Sequence, residues 1–143
     1  MFRLNLVLLI VTTFSWMAFI LIILGKASED TLFLTGGYRE SRTIFGEFIV
    51  IGAHLGLFGI LGVFLYITIY NVTHWPVKHF DLLAISLIGG GWGAFTELCQ
   101  LGVPGRHASV GDVITDLIGA AVGGLLTRGA MTLVSRRNYK SDL

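Results

Sequence analysis

The sequence predicts an all-α integral membrane protein, a single domain of four transmembrane helices. Three observations carry this reading. Hydrophobic residues make up 54% of the 143-residue chain and charged residues only 13%, about half the charged share of a soluble domain. Mean hydropathy is +0.78. Four stretches each supply the roughly 20 apolar residues that a helix needs to cross about 30 Å of hydrocarbon. The same figures exclude other classes. Disordered chains are poor in apolar residues and rich in charge. Nucleic-acid binders carry a basic stripe, whereas here the net charge is +1.

The first span, about residues 4–24, contains no charge. Its apolar run exceeds the 7–15 residues of a signal peptide, so a retained helix is expected. It has no internal glycine and is apolar nearly all round, which predicts a peripheral position. The second span, 44–70, carries Glu47 and His54. The third, 81–103, carries Glu97 and Gln100, and the fourth, 113–134, carries Asp116 and Arg128. Residues 25–43 form the one long connection, with a turn signal at Gly36-Gly37. Tyr66 and Tyr70, one turn apart near the end of span two, are expected at the membrane interface.

Four crossings put both termini on one side. That side carries Arg3, Lys78, Arg128, Arg136, Arg137 and Lys140, against Lys26, Arg39, Arg42 and Arg106 on the other. The positive-inside rule then places both termini in the cytoplasm. The single cysteine, Cys99, has no internal disulfide partner.

Nineteen glycines are about twice the average share. In lipid, small residues spaced by four let helix backbones approach. Gly52, Gly56 and Gly59 form such a stripe on span two, with Gly89 and Gly93 on span three and Gly119 and Gly123 on span four. A compact bundle of spans two, three and four is expected. Glu47 and His54 share a face of span two opposite its glycine stripe.

Ionisable groups within a membrane are costly and face the bundle interior, a partner or a cavity. At 100° per residue, Glu97 and Gln100 share the face of Gly89 and Gly93, and Asp112, Asp116, Gly119 and Gly123 fall in one narrow arc. Between these spans, Pro104-Gly105 marks a turn. Ser109 reads as a helix cap with Asp112 in the first turn. Arg106 lies between Glu97 and Asp112 in sequence, so an ion-pair cluster locking the hairpin is expected. A binding role for the same cluster is the second reading.

Read in order, the segment is Glu97-x2-Gln100-x5-Arg106-x2-Ser109-x2-Asp112-x3-Asp116-x2-Gly119-x3-Gly123. It resembles the signature of the VanZ-like family of small bacterial membrane proteins, and His54 followed by Leu55-Gly56-Leu57-Phe58-Gly59 resembles that family's second-helix pattern. The match spans roughly residues 50–126. Family members typically carry Asn where this chain has Asp116, and often a basic residue shortly before the histidine, where this chain has Val50-Ile51. The resemblance implies a bacterial cytoplasmic (inner) membrane location and a cell-envelope role, the namesake being linked to teicoplanin resistance. It brings no reaction with it.

The expected function is therefore non-enzymatic: binding of an amphipathic or lipid-linked envelope molecule, with Glu97, Gln100, Arg106, Ser109, Asp112 and Asp116 as the polar cluster. The alternative is an accessory transmembrane subunit of a larger complex, possible energy-transducing assemblies included, joined through glycine-rich faces or span one. A membrane hydrolase using Glu97 or Asp112 as acid or base is a third reading. No metal set is read from the spacing. His54, with Gly52, Ala53 and Gly56 nearby, also has the composition of an axial ligand to a haem or chlorophyll-type ring, but one histidine does not establish a cofactor. The expected partners are membrane lipids and other transmembrane subunits, with no nucleic acid.

Overall fold

A computed structural model gives four helices in the order α1 (Leu6–Thr35), α2 (Ile44–Thr73), α3 (His79–Gln100) and α4 (Val110–Ser141). It describes the backbone of residues 5–35, 44–73, 79–102 and 108–141, and the side chains of residues 5–25, 47–73, 81–102 and 108–135. Within the helices, the stretches long and apolar enough to cross a membrane are Leu6–Gly25, Glu47–Thr73, Asp81–Gln100 and Val110–Ser135. The four-span bundle read from hydropathy is the fold observed.

The helices overrun their apolar cores. Helix α1 continues to Thr35, well past the expected end near residue 24, and takes up half of the segment read as a connection. Residues 26–35 contain no glycine or proline to stop it; Gly36-Gly37 follows immediately. Helix α4 likewise runs on through Arg136 and Arg137 to Ser141. Hydropathy marks where a helix leaves lipid, not where its hydrogen bonding ends.

The surface is inverted relative to a soluble protein. Large apolar side chains such as Val7, Leu8, Phe14, Phe48, Leu98, Val110 and Leu126 point outward, while His54, Thr96, Glu97, Gln100 and Asp116 are buried. In lipid that arrangement costs nothing outside and concentrates polar chemistry inside.

Helices α2 and α4 make the tightest contact, through backbone rather than side chains. A Cβ at Gly123 would strike the backbone of Gly59, one at Gly62 would strike that of Ala120, and one at Gly119 would lie 2.9 Å from the carbonyl oxygen of Leu55. Gly89 of α3 abuts the Ala120 methyl. The glycine stripe read on span two is split by the fold. Gly59 sits at the seam, but Gly52 and Gly56 are exposed, with nothing within 4 Å of a Cβ built there. The packed face is centred on the His54 side, where Phe58 and Leu61 are fully buried.

Helix α1 lies outside this core against α2 and α3, and among the described residues it does not meet α4. It is nonetheless firmly tied. The Trp16 indole N–H donates to the Leu57 carbonyl of α2 at 3.0 Å. The Trp92 indole of α3 donates to the Met17 carbonyl of α1 at 3.2 Å. The hydroxyls of Thr13 and Thr68 are 3.1 Å apart. Ile20 and Leu24 enter the apolar core with Phe58, Leu61, Leu65, Tyr66 and Ile85. Tyr66 is therefore core, not interface as expected, with Tyr70 packed against the same cluster. Both occupy the inner side of α2, which aromatic-belt reasoning could not distinguish from its outer side.

Candidate functional site

The polar centre lies where α2, the end of α3 and the start of α4 converge. His54 is seven residues beyond Glu47 in α2, about 10 Å along the axis. Glu97 is three residues from the end of α3, and Asp116 is two turns into α4. The site thus sits inside one end of the bundle, where α3 ends and α4 begins.

Its central feature joins two helices that are not neighbours in sequence. His54 Nδ1 lies 2.8 Å from Asp116 Oδ1. Both are buried, Asp116 completely. The imidazole stacks nearly parallel to Phe58, ring centroids 6.4 Å apart, so an apolar wall backs the pair. Glycine makes room for it: a Cβ at Gly93 of α3 would collide with the Asp116 carboxylate.

Glu97 caps the following helix. Its Oε2 accepts the Ser109 backbone N–H at 2.6 Å, and the Ser109 hydroxyl accepts the Asp112 N–H at 3.3 Å. The start of α4 therefore holds one carboxylate from a neighbouring helix and one hydroxyl of its own. This suits the exposed N–H groups and positive dipole of a helix start. It also explains why a charged side chain three residues from the end of α3 points inward.

Two carboxylate oxygens are left over. Glu97 Oε1 and Asp116 Oδ2 are buried and have no hydrogen-bond partner among the described residues. Such a group costs about 1–3 kcal/mol when desolvated. The half-buried Asp112 completes the centre: donor atoms of His54, Glu97 and Asp112 lie within 4.8 Å of one another. Gln100 and Ser109 are buried alongside. Three acids thus converge on a single imidazole.

The structure therefore gathers His54, Glu97, Asp112 and Asp116, with Ser109 bonded to Glu97 and Gln100 buried three positions beyond Glu97 on α3. Arg106, and with it the expected pairing to Glu97 or Asp112, lies outside the described residues. Glu47 sits near the start of α2, half-buried. Gly52 and Gly56, whose smallness would admit a large ring over His54, lie on the far side of α2. The residue relationship that sequence reasoning missed is His54 with Asp116. Their separation is 62 positions, and helical periodicity carries no information about which faces of different helices meet.

A four-helix membrane bundle with an acid–histidine centre inside one end is the class that fold and site define. The family model described as VanZ/LLP1 matches residues 6–133. The chain belongs to the VanZ/LLP1 family. Comparison with curated proteins finds no match, and comparison with solved structures finds none either.

Proposed function

We propose that this VanZ/LLP1 protein is a non-enzymatic binding protein of the bacterial cytoplasmic membrane. Its acid–histidine centre receives the polar headgroup of an amphipathic or lipid-linked envelope molecule. The observation that carries this reading is the pair of unsatisfied oxygens, Glu97 Oε1 and Asp116 Oδ2. A cluster serving only to lock helices together would satisfy them, because each costs stability while left bare. The charge bias of the loops supports cytoplasmic termini. That orientation turns the centre toward the outer leaflet.

Gentle purification from the native membrane, followed by mass spectrometry of the bound species, tests the proposal. A lipid-linked species retained by the wild type and lost in Glu97→Gln supports it. Recovery instead with a stoichiometric membrane protein and no such species favours the accessory-subunit reading, for which the open Gly52–Gly56 face of α2 provides a small-residue surface. Reporter fusions at both termini check the orientation.

A further inference from the structure

We infer that the centre is a divalent-cation site of the zinc type, with His54, Glu97 and Asp112 as ligands and Asp116 as the group that orients the histidine. The inference rests on the reading of this centre as a binding site and deepens it by naming what it binds first.

Four observations converge. The ligand set is one imidazole and two carboxylates with donor atoms within 4.8 Å of one another. Zinc sites of open coordination use three protein ligands of this chemistry at about 2.0–2.2 Å, which places neighbouring ligand atoms about 3.4 Å apart. The remaining contraction is small. Asp112 can supply it, since its side chain is half-buried in the first turn of α4 and takes part in no hydrogen bond among the described residues.

The second observation is the His54–Asp116 pair. A metal-bound histidine almost always donates its other ring N–H to a carboxylate or carbonyl, which fixes the tautomer and raises the basicity of the coordinating nitrogen. Asp116 Oδ1 holds Nδ1 at 2.8 Å. That leaves Nε2 as the coordinating atom.

Third, Glu97 Oε1 is buried without a partner among the described residues, while its sister oxygen is held by the Ser109 N–H. Glu97 is only 3% exposed, so water does not solvate that oxygen as it would at a surface. A carboxylate anchored through one oxygen and bare at the other presents a monodentate ligand. Fourth, among the residues whose side chains are described, three acids converge on the centre and no lysine or arginine joins them. Among residues whose side chains are described, the nearest basic group on α4 is Arg128, twelve positions beyond Asp116, or about 18 Å along the axis. A dication offsets the converging acids at a depth where isolated charges are expensive.

Three protein ligands leave a fourth position. A phosphate or hydroxyl oxygen of an amphiphile's headgroup can take it, so the cation would give an acidic centre its affinity for an anionic group.

The test uses the full chain, purified in mild detergent, stripped with a chelator and titrated with Zn²⁺ by calorimetry. Metal content is measured in parallel, and Co²⁺ serves as a spectroscopic probe. The wild type is expected to bind one Zn²⁺ per chain, and its Co²⁺ form to show the intense visible bands of low coordination number. His54→Gln, Glu97→Gln and Asp112→Asn are expected to lower affinity more than about 100-fold. Asp116→Asn is expected to retain the stoichiometry with a loss of about 10–100-fold. Arg106→Gln is expected to retain binding; a site created only by removing that arginine would overturn the proposal. So would the absence of saturable Zn²⁺ binding by folded wild type, or unchanged affinity in Asp112→Asn, the variant least able to disturb the fold. Retention of a lipid-linked species by the metal-free protein separates the two readings. A chain that keeps the amphiphile without binding zinc sinks the cation alone, and one that binds zinc but retains no amphiphile sinks the headgroup reading alone.

Discussion

His54 of α2 and Asp116 of α4 meet at 2.8 Å across the closest helix contact in the protein. The neighbouring groups are arranged around that pair: Gly93 makes space for the aspartate, Phe58 backs the imidazole, and Glu97 and Asp112 lie close to the histidine. Removing one partner of a buried pair leaves the other desolvated, at a cost of about 3–5 kcal/mol. His54→Ala is therefore expected to lower the melting temperature of the detergent-solubilised protein by many degrees. Asp116→Asn keeps a hydrogen-bonding side chain of the same shape and is expected to do much less harm. Equal melting of His54→Ala and wild type would show that the pair does not stabilise the bundle.

The α2–α4 seam predicts a sharp contrast between a glycine of α4 inside it and a glycine of α2 outside it. Gly123→Ala places a methyl against the backbone of Gly59, and backbone cannot step aside as a side chain can. Overpacking of this kind costs about 1–3 kcal/mol, and more where nothing yields. Gly52→Ala meets open space and also gains helix propensity, so its effect on stability is neutral or favourable. Melting temperatures of the two variants decide the matter; comparable loss in both would mean that Gly52 is covered in the purified protein.

Glu97 and Ser109 together hold the start of α4. Glu97→Ala removes the acceptor of the Ser109 N–H and is expected to increase amide exchange over residues 109–113, while the second half of α4 keeps its protection. Ser109→Ala removes only the hydroxyl cap, at a cost of about 1 kcal/mol. Hydrogen exchange read by mass spectrometry compares the two. Greater exchange in Ser109→Ala than in Glu97→Ala would reverse the assigned order.

The indoles of Trp16 and Trp92 fasten α1 at two points. Trp16→Phe and Trp92→Phe keep aromatic bulk and each remove a hydrogen bond to a carbonyl, worth about 0.5–1.5 kcal/mol. The two bonds join different helix pairs and share no partner, so their effects on denaturation free energy are expected to add in the double variant. Strong non-additivity would mean that α1 docks as one cooperative unit.

The four spans, the Ser109 cap and the inward arc of Asp112, Asp116, Gly119 and Gly123 were legible because each depends on residues close in sequence. Composition reveals a span, a serine before an apolar run reveals a start, and a 100° step reveals a face. What joins one helix to another was not legible. Glu97 invited an ion pair with Arg106, which lies outside the described residues; the partner observed for it is the Ser109 backbone N–H, a donor that every residue but proline carries and no sequence displays. Gly52 and Gly59 share a stripe, yet only Gly59 reaches a neighbour, because the seam lies toward the His54 side. Tyr66 resembled an interfacial anchor, since its end of the helix was readable and its side was not.

A seam built from glycine and alanine backbone contains almost no rotatable atoms. Side chains can repack to absorb a shift; peptide planes in van der Waals contact cannot. The carboxylates and imidazole are thus mounted on a stiff frame; for the proposed binding role, much of the ordering that a site undergoes when its guest arrives would be complete when the bundle folds. Gly59, Gly62, Gly119 and Gly123 touch no guest, but they set the tolerance to which the centre is made.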